Sequence, residues 1–425
     1  MKIVIATSVY YPQINGVAVF SHNLAVGLAR RGNEVLVITP SQTKKSHTEI
    51  ADGVKVCYLK SSTIKVYPDQ IHPVEKEKQL FGKKMPKLLY KHGFKASIFP
   101  AKEIKKCLLD FQPDVIHVQG SDPIGVSVVH YAHKTGIPVV LTEHNQPEVL
   151  TDSLPLPGII KKPANKALSA YFVNRQRKVD YVTMPTSLSI EKLIHGRDLG
   201  VPVAAVSNGV DLTEFQPGEV SDKLYIKYNI SKNVPIVLYI GRLDPEKNVK
   251  LALAAFKKFF QIANDNNIDS LSKTLFVVVG DGVDRERLVL ESERLGISES
   301  VKFLGRVMPP DLYNIYRMGD VFMTASEIET QGIVLIEAAA TGLPLIAVNA
   351  GAVAEVCLNG INGFLLEPGD EDGMANSLFT ILSDEKLLKQ MSKKSLEVAE
   401  SHSLERTLDK FLEIYQEVIA KNKTV

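Results

Sequence analysis

The sequence lacks any run of 18 apolar residues, which a helix needs to cross a bilayer. It has only three cysteines, Cys57, Cys107 and Cys357, which are spaced too widely for a metal site or a disulfide framework. We expect all three to be small buried side chains. The N-terminus becomes polar after Ile5, too early for a signal peptide, so we expect a cytosolic chain. The 425 residues, 45% hydrophobic and 23% charged, predict two or three globular domains.

Several familiar motifs are also absent. The chain has no G-x-G-x-x-G and no Walker A sequence, which argues against a dinucleotide-dependent dehydrogenase and a P-loop ATPase. Neither H-E-x-x-H nor G-x-S-x-G occurs, so neither a zinc-protease helix nor a nucleophile elbow is indicated.

The whole chain has almost no net charge, but each half carries an excess of charges of one sign. The formal net charge is only +2. Residues 1–205 hold 27 Lys and Arg against 16 Asp and Glu, a net of +11, and residues 206–425 hold 23 against 32, a net of −9. This division indicates halves with different partners, the basic one facing an anionic surface, although drift between two domains would give the same counts.

Short apolar strands alternate with helical patterns along the chain. Residues 2–6 have no polar side chain after Lys2, as expected for a central parallel strand, and residues 16–31 follow as a helix. Further strands are predicted over 35–39, 115–118, 138–141, 181–184, 236–240, 274–279, 301–304, 321–324 and 344–347, and helices over 248–262, 284–295, 310–318 and 332–341. Repeated units of this kind imply parallel sheets with right-handed crossovers.

Two series of such units predict an α/β fold of two doubly wound, Rossmann-like domains that face each other across a crevice. The joint is expected within 201–218, which is rich in Pro and Gly, so the domains would be 1–205 and 206–403. An amphipathic helix over 404–420 follows, and its pattern leaves open whether it packs on the second domain or crosses back to the first.

A loop between a strand and a helix in the second half reads S-E-I-E-T-Q-G-I-V-L-I-E-A over 326–338. Gly332 begins the helix, so the backbone N–H groups of Gly332, Ile333 and Val334 lie at a helix N-terminus beyond a parallel strand, which suits phosphate. Glu337 lies farther along the helix among apolar residues, where an unpaired charge is costly. It either contacts a ligand or forms an Arg–Glu pair inside the fold.

A second loop, G-R-L-D-P-E-K-N over 241–248, also joins a strand to a helix. Arg242 and Lys247 can converge there on a diphosphate, Arg as a bidentate fork and Lys as a compact charge. Because cations at a helix N-terminus oppose the helix dipole, an anionic ligand is favoured over a solvated helix start.

Strand ends in the first half carry further polar residues. Gly16, before the first helix, permits close approach of the backbone to a ligand, His117 ends the strand 115–118, and Glu143 and His144 follow the strand 138–141. Because the carboxyl ends of parallel strands share one edge of a sheet, we expect these residues to line one crevice. A single histidine at such a place is more often structural than catalytic, and the pair with Glu143 leaves both interpretations open.

Together these residues resemble the retaining glycosyltransferases of family 4, which have the GT-B fold. The resemblance rests on the Glu-x7-Glu pair Glu329 and Glu337, the run from Gly241 to Lys247, N-G-V-D at 208–211 and G-D-G at 280–282, and it extends from the P-x-x-x-G-V opening to G-F-L at 363–365. It implies a transferase that uses a nucleotide sugar as substrate and needs neither a metal nor another cofactor. The sequence agrees, since no D-x-D lies at a predicted strand end.

The resemblance also implies roles for individual residues. In the second domain, Arg242 and Lys247 would hold the diphosphate, Glu337 the ribose, and Glu329 the donor sugar. The other implied donor contacts are Gly280, Leu304 and Val307, of which the last two would flank the base, and the N–H groups of Gly332, Ile333 and Val334 on the sugar or phosphate. From the first domain, Gly16 would approach the diphosphate and His144 the reacting sugar. The family retains configuration by same-face attack, with a donor phosphate oxygen taking the acceptor proton, so we assign no residue as nucleophile.

The Y-Y-P-Q-I-N-G-V-A opening and the loop with Gln331 look like the diacylglycerol glucosyltransferases and related lipid mannosyltransferases. Residues 76–106 contain ten Lys against two Glu with apolar residues between them, and residues 161–178 contain six Lys and Arg and no acid. Such composition is typical of segments that lie on an anionic membrane, although a solvated basic helix has it too. The predicted acceptor and membrane residues are Lys83, Lys84, Lys87, Lys91, Lys161, Lys162 and His117.

We therefore expect a hexosyltransferase that moves glucose from UDP-glucose to a lipid such as diacylglycerol, bound peripherally at the cytoplasmic face of the membrane. UDP-galactose and GDP-mannose are alternative donors. A soluble family 4 enzyme acting on a small sugar, metabolite or polysaccharide precursor is a second hypothesis. An inactive sugar-nucleotide-binding module is a third, against which the intact cluster of charged residues argues. No RNA- or DNA-binding module is recognisable, so nucleic acid is not an expected partner.

Overall fold

The structure is a computed structural model, and it describes residues 1–11, 15–41, 45–64, 79–80, 83–84, 94–97, 100–144, 158–194 and 198–423. The chain forms two compact units, Met1–Asn208 together with Leu404–Val425, and Gly209–Ser403. Each unit contains a largely or wholly parallel sheet between helices, as the alternating pattern predicts. No helix in the described ranges is long and apolar enough to cross a membrane.

The first unit is built on a sheet of eight strands in the order β12-β11-β10-β9-β1-β2-β4-β3, with only β3 antiparallel to its neighbour. The strands are β1 (Lys2–Ala6), β2 (Glu34–Pro40), β3 (His47–Ala51), β4 (Val54–Leu59), the short paired strands β5 (Ser62–Ile64), β6 (Gln79–Leu80), β7 (Lys83–Lys84) and β8 (Phe94–Ala96), then β9 (Val115–Val118), β10 (Val139–Thr142), β11 (Tyr181–Met184) and β12 (Val203–Ala205). The helices are α1 (Gly16–Arg30), α2 (Ala101–Phe111), α3 (Pro123–Thr135), α4 (Gly158–Gln176) and α5 (Ser187–Ile194).

The second unit contains six parallel strands in the order β15-β14-β13-β16-β17-β18. These strands are β13 (Ile236–Ile240), β14 (Leu275–Val279), β15 (Val301–Gly305), β16 (Val321–Thr324), β17 (Leu345–Val348) and β18 (Gly363–Leu366). Its helices are α6 (Asp222–Lys227), α7 (Val249–Asp265), α8 (Arg285–Arg294), α9 (Asp311–Met318), α10 (Ile333–Ala340), α11 (Glu371–Ser383) and α12 (Glu385–Ser401). The chain then returns to the first unit through α13 (Leu404–Lys423).

Helix α13 settles the question that its amphipathic pattern leaves open. Its Phe411 and Tyr415 are fully buried in one apolar cluster with Ile5 of β1 and Phe20 of α1. At the surface, Arg31 donates a hydrogen bond to Asp409 at 2.7 Å. The apolar stripe of α13 therefore covers one face of the first sheet.

In each sheet the strand order changes direction at one point, between two neighbouring strands. In the second unit, β13 pairs with β14 on one side and with β16 on the other. Helices α7 and α10, which follow β13 and β16, pack in two different apolar clusters on opposite faces of the sheet. The loops after β13 and β16 therefore diverge, and such a point is where open α/β sheets bind ligands. In the first unit the corresponding neighbours are β1 and β9.

The structure corrects one expectation about the cysteines. Cys57 of β4 and Cys107 of α2 form a disulfide, although 50 residues separate them in the sequence. The pairing arises because α2 packs beside β4, a contact that spacing along the chain does not reveal. Cys357 is buried and unpaired, as expected.

Candidate active site

The loops after β13 and β16 meet through an ion pair. The Lys247 ammonium lies 2.6 Å from a Glu329 carboxylate oxygen, and both side chains are about five-sixths buried, with 16% and 14% of their surface exposed. Lys247 also donates to the Ile328 carbonyl at 3.2 Å and approaches the Ser326 hydroxyl at 3.4 Å. The structure therefore brings together two residues that lie 82 positions apart and were predicted to share a site.

Arg242 lies in the same loop as Lys247 and is half-exposed. Its guanidinium donates hydrogen bonds to the carboxylates of Asp244 and Glu246. The side chain thus keeps a fixed orientation while 37% of its surface stays exposed. A guanidinium held in this way presents a planar fork that suits a phosphate, although phosphate would compete with these carboxylates.

Close backbone packing shapes the loop after β13. A Cβ atom at Gly280 would lie 1.8 Å from the Gly241 carbonyl oxygen, and one at Gly282 would lie 2.3 Å from that of Leu243. Gly280 also has a φ of +132°, which side chains rarely adopt. The G-D-G motif therefore lets the loop after β14 lie against the Arg242 loop, and its role in the structure is steric.

Helix α10 begins at the second loop. Gly332 precedes it in a left-handed conformation, with φ of +77°, and the first amides of the helix have no acceptor within the helix itself. Ile333 and Val334 pack against the apolar cluster that also contains Val307 and borders Leu304. The predicted phosphate-binding N–H groups and the predicted base-flanking residues therefore belong to the same unit and the same cluster.

Glu337 lies on α10 and is paired with a tyrosine, not with an arginine. The Tyr316 hydroxyl donates to its carboxylate at 2.5 Å. Burial raises the pKa of Glu337 to about 7, and the hydrogen bond from Tyr316 opposes that rise. Tyr316 comes from α9, and no feature of the sequence singles it out as this partner.

The first unit places His144 and Glu143 just beyond β10. The His144 Nε2 atom lies 2.8 Å from the Gln119 side-chain oxygen, and Glu143 accepts a hydrogen bond from the Ser121 hydroxyl at 2.9 Å. Burial lowers the pKa of His144 to about 3, so its ring is neutral at physiological pH. Gln119 and Ser121 were not predicted from the sequence, although they directly follow a strand that was.

Gly16 is exposed and forms the first residue of α1. The Asn15 side chain caps this helix by accepting a hydrogen bond from the Ala18 amide at 2.9 Å. The preceding residues 12–14 lie outside the described ranges. Gly16 therefore begins a capped helix beyond β1, at the point where the strand order of the first sheet reverses.

His117 does not lie on an acceptor surface, and that prediction is wrong. Its side chain is fully buried, with Nδ1 2.6 Å from the Tyr415 hydroxyl and Nε2 2.6 Å from the Thr142 hydroxyl. Its ring packs 4.8 Å from that of Phe411, and burial lowers its pKa to about 3. Nδ1 has its partner on α13, which covers this face of the sheet, and Nε2 has its partner on β10, so His117 is a core residue.

The predicted membrane-facing lysines fall mostly outside what the structure describes. Lys87 and Lys91 lie in the omitted range 85–93, and the side chains of Lys83 and Lys84 are likewise not described. Lys161 and Lys162 lie near the start of α4, where Lys162 is exposed and Lys161 is partly buried. Ile160 and Tyr171 on the same helix are 49% and 42% exposed.

Comparison with protein families finds a match in each half of the chain. Residues 14–214 match the model described as Glycosyltransferase Family 4, and residues 221–398 match the model described as Glycosyl transferases group 1. The first match ends at residue 214 and the second begins at residue 221, shortly after the boundary between the units at residue 208. They confirm the predicted family and the predicted class of enzyme.

Three similar proteins are named for two different sugars, two of them for glucose and one for mannose. Alpha-monoglucosyldiacylglycerol synthase of Streptococcus pneumoniae (strain ATCC BAA-255 / R6) is 26% identical over 82% of this chain and 71% of its own. The synthase of the same name from Acholeplasma laidlawii is 24% identical over 99% and 98%. A GDP-mannose-dependent alpha-mannosyltransferase of Mycobacterium tuberculosis (strain CDC 1551 / Oshkosh) is 26% identical over 87% and 85%.

Solved structures agree with the predicted fold. Sucrose-phosphate synthase from Thermosynechococcus elongatus superimposes with a TM-score of 0.74 at 18% identity, covering 99% of this chain and 100% of that one. Anabaena HepE in complex with UDP-glucose gives a TM-score of 0.71 at 19% identity, covering 98% and 100%. At such identities the likeness concerns the fold alone, and it confirms two GT-B-type α/β domains.

Proposed function

Because the chain belongs to the family 4 glycosyltransferases, with a group 1 domain in its second half, we propose that it moves a hexose from a nucleotide sugar to a lipid acceptor with retention of configuration. The observation that carries the donor half of this proposal is the meeting of Lys247 and Glu329 at the reversal point of the second sheet, next to the start of α10. An anion placed there would meet a lysine, a guanidinium and helix amides together.

In this proposal the second unit holds the donor. Arg242 and Lys247 bind the diphosphate. Glu337 forms hydrogen bonds with the ribose hydroxyls, as an acceptor when it is ionised and as a donor when it is protonated. Glu329 contacts the sugar and is held in place by its ion pair with Lys247. UDP-glucose is the favoured donor because two similar proteins are named as glucosyldiacylglycerol synthases, and GDP-mannose is the alternative because another is named as a mannosyltransferase.

The chemical step, as proposed, depends on stabilising the departing diphosphate. Two fixed cations and helix amides offset the charge that develops on it as the bond to the sugar breaks. The acceptor hydroxyl attacks from the same face, and a phosphate oxygen of the donor takes its proton. Glu329 is bound to Lys247 and is given no nucleophilic role. These cations supply the charge that a metal would supply elsewhere, so we expect transfer to persist in excess chelator.

The acceptor proposal rests on α4. Residues 161–178 carry no acid, and Lys162 and Lys166 are exposed on the same helix as Ile160 and Tyr171. Cations beside exposed apolar side chains suit a surface of anionic lipid, to which each cation contributes about 1 kcal/mol. We therefore propose that α4 holds the protein peripherally at the cytoplasmic membrane face, where a diacylglycerol acceptor would lie.

A donor panel crossed with lipid and aqueous acceptor extracts tests the activity. UDP-glucose, UDP-galactose and GDP-mannose carrying radiolabelled sugars are supplied, with and without chelator, and products are identified by mass spectrometry. We expect label in a glycolipid from UDP-glucose, a loss of at least about a hundredfold in Arg242→Ala and Lys247→Ala, and little change in Lys250→Ala, an exposed lysine one turn farther on. Label in water-soluble products alone would favour the soluble alternative, and no transfer from any donor would favour the inactive binding module.

Vesicle co-sedimentation tests the membrane proposal separately. Lys162→Glu/Lys166→Glu should weaken binding to vesicles of phosphatidylglycerol and phosphatidylcholine at least about tenfold. The control Lys386→Glu/Lys393→Glu makes the same charge change at exposed positions of α12 and should bind as wild type does. Equal binding by both variants, or equal binding of the wild type to vesicles of phosphatidylcholine alone, would contradict a docking role for α4.

A further inference from the structure

Gln119 and His144 form a buried polar pair at the reversal point of the first sheet. Gln119 directly follows β9, and its backbone N–H donates to the Ala6 carbonyl of β1 at 2.8 Å. His144 lies two residues beyond β10, which pairs with β9 on its other side. The two side chains are 4% and 8% exposed. They therefore lie where a parallel sheet of this type binds ligands.

The hydrogen bond between them determines which ring nitrogen carries the proton. The Gln119 side-chain oxygen, 2.8 Å from His144 Nε2, can only accept. With the Gln119 oxygen facing it, a neutral ring carries its proton on Nε2 and a lone pair on Nδ1. In the described part of the chain no group forms a hydrogen bond with Nδ1, and this nitrogen is not fully buried.

The same arrangement leaves the side-chain nitrogen of Gln119 in an unfavourable environment. Its side-chain nitrogen is buried and has no hydrogen-bond partner among the residues that the structure describes. A buried donor without a partner lowers stability, and methionine would fill a similar volume without that loss. Buried donors without a partner are uncommon in folded proteins.

The surroundings of His144 hold the ring neutral. Phe20 of α1 approaches it edge-on at 5.0 Å between ring centroids, and Phe411 of α13 packs behind Phe20. His117 on β9 is the titratable neighbour, and it is itself buried and neutral. Glu143, next in sequence, accepts from the Ser121 hydroxyl. A neutral ring of fixed tautomer offers one acceptor, whereas a protonated ring would offer none.

We propose that Gln119 is a positioning residue for the transfer reaction, which holds the His144 imidazole as its Nε2–H tautomer so that Nδ1 accepts a hydrogen bond from a hydroxyl of the reacting sugar. This inference rests on the proposed function, and it adds His144 to the residues that contact the sugar. Gln119 touches no substrate itself and acts only through the ring.

Two substitutions at Gln119 and one matched control test the proposal. Gln119→Met removes the acceptor and the buried nitrogen together, so kcat should fall at least tenfold while KM for the donor and the thermal midpoint stay equal or the midpoint rises. Gln176→Met is the control, since Gln176 is a fully buried glutamine of α4 whose side-chain nitrogen and oxygen also lack partners. It should leave kcat unchanged.

Gln119→Glu should change the pH dependence of kcat, which it would not do if Gln119 had only a structural role. A carboxylate beside Nε2–H favours the protonated ring, so the pH profile of kcat should gain an acidic limb near neutral pH that is additional to the titration of Glu337, which both proteins share. Nitrogen-15 NMR of the wild type, with His144→Asn to assign the signals, should show a protonated Nε2 and a bare Nδ1 at pH 7. The opposite tautomer, wild-type kcat in Gln119→Met, or a wild-type pH profile in Gln119→Glu would overturn the proposal.

The two proposals fail in different ways. If the wild type transfers no sugar, the proposed function fails with it, whereas the NMR tautomer and the stability of Gln119→Met still decide whether Gln119 holds the ring. If transfer occurs and Gln119→Met matches the wild type, the proposed function stands and the positioning role is refuted.

Discussion

At the residue scale, the environment of Glu337 makes its carboxyl group sensitive to pH. Burial disfavours the charged form, and the Tyr316 hydroxyl offsets only part of that effect, so the pKa lies at about 7. No lysine or arginine bonds to this carboxylate within the described ranges. Between about pH 4.5 and 7 the folded protein therefore holds a proton that the unfolded chain releases.

We predict that this proton makes folding stability fall as pH rises. Because the folded pKa is raised, the stabilising contribution is complete below the unfolded pKa and is lost as pH passes through about 7. Glu337→Gln should remove this dependence, so the wild-type loss between pH 5 and pH 8, relative to that variant, should be roughly 1–3 kcal/mol. Tyr316→Phe should move the change to higher pH.

Urea denaturation of the second unit at pH 5 and pH 8 measures this difference. Glu293→Gln, which alters an exposed carboxyl of α8, serves as control and should follow the wild type. Parallel pH curves for the wild type and Glu337→Gln would show that Glu337 is ionised throughout and that its burial has little effect on its pKa.

The sequence defines some site residues and misses others for a physical reason. Arg242 and Lys247 are predictable because charged residues stand out at the ends of apolar strands, whereas Glu329 was predicted only through the family resemblance. The partner of Glu337 is not predictable, because any of several polar residues on α9 could have faced it. His117 is misjudged because the helix that buries it lies almost 300 residues farther along the chain.

At the scale of elements, the strands predicted from the sequence are those buried on both faces. Strands β1, β9, β13 and β16 match their predicted bounds because unbroken apolar runs are typical of central parallel strands. The antiparallel β3 is exposed along its whole length and has no such run, so it was not predicted. Helix α4, which carries basic residues and an internal proline, was predicted as a basic stretch without its helical form.

The contact between the loops after β13 and β14 gives a prediction at this scale. Gly280→Ala would place a Cβ atom against the Gly241 carbonyl at a φ that alanine disfavours, so the second unit should lose roughly 3 kcal/mol of stability. Gly296 also has a positive φ, +69°, but no atom lies within 4 Å of where its Cβ atom would be, so Gly296→Ala should cost only about 1 kcal/mol. Chemical denaturation of both variants measures the difference, and equal losses would refute the steric role of Gly280.

At the scale of the whole molecule, the first unit is discontinuous in sequence. Residues 1–208 supply its sheet, and α13 supplies one covering layer after the chain has formed the entire second unit. The side chains of Leu408, Phe411, Ile414, Tyr415 and Val418 are each at most 2% exposed. Removing Phe411 alone should cost about 3–5 kcal/mol, because truncating a buried aromatic residue leaves a cavity.

We therefore predict that a chain ended after Ser403 keeps its second unit and loses its first. Without α13 an apolar face of the first sheet is exposed and His117 Nδ1 loses the Tyr415 hydroxyl, whereas the second unit keeps every strand and its own clusters. Limited proteolysis followed by mass spectrometry should show digestion within 1–208 and protection of 209–403. The full-length control Lys410→Ala/Glu413→Ala, which removes an exposed ion pair of α13, should stay resistant throughout. Protection of 1–208 in the truncated chain would mean that the sheet of the first unit is stable without its last helix, and that α13 packs on a core already complete.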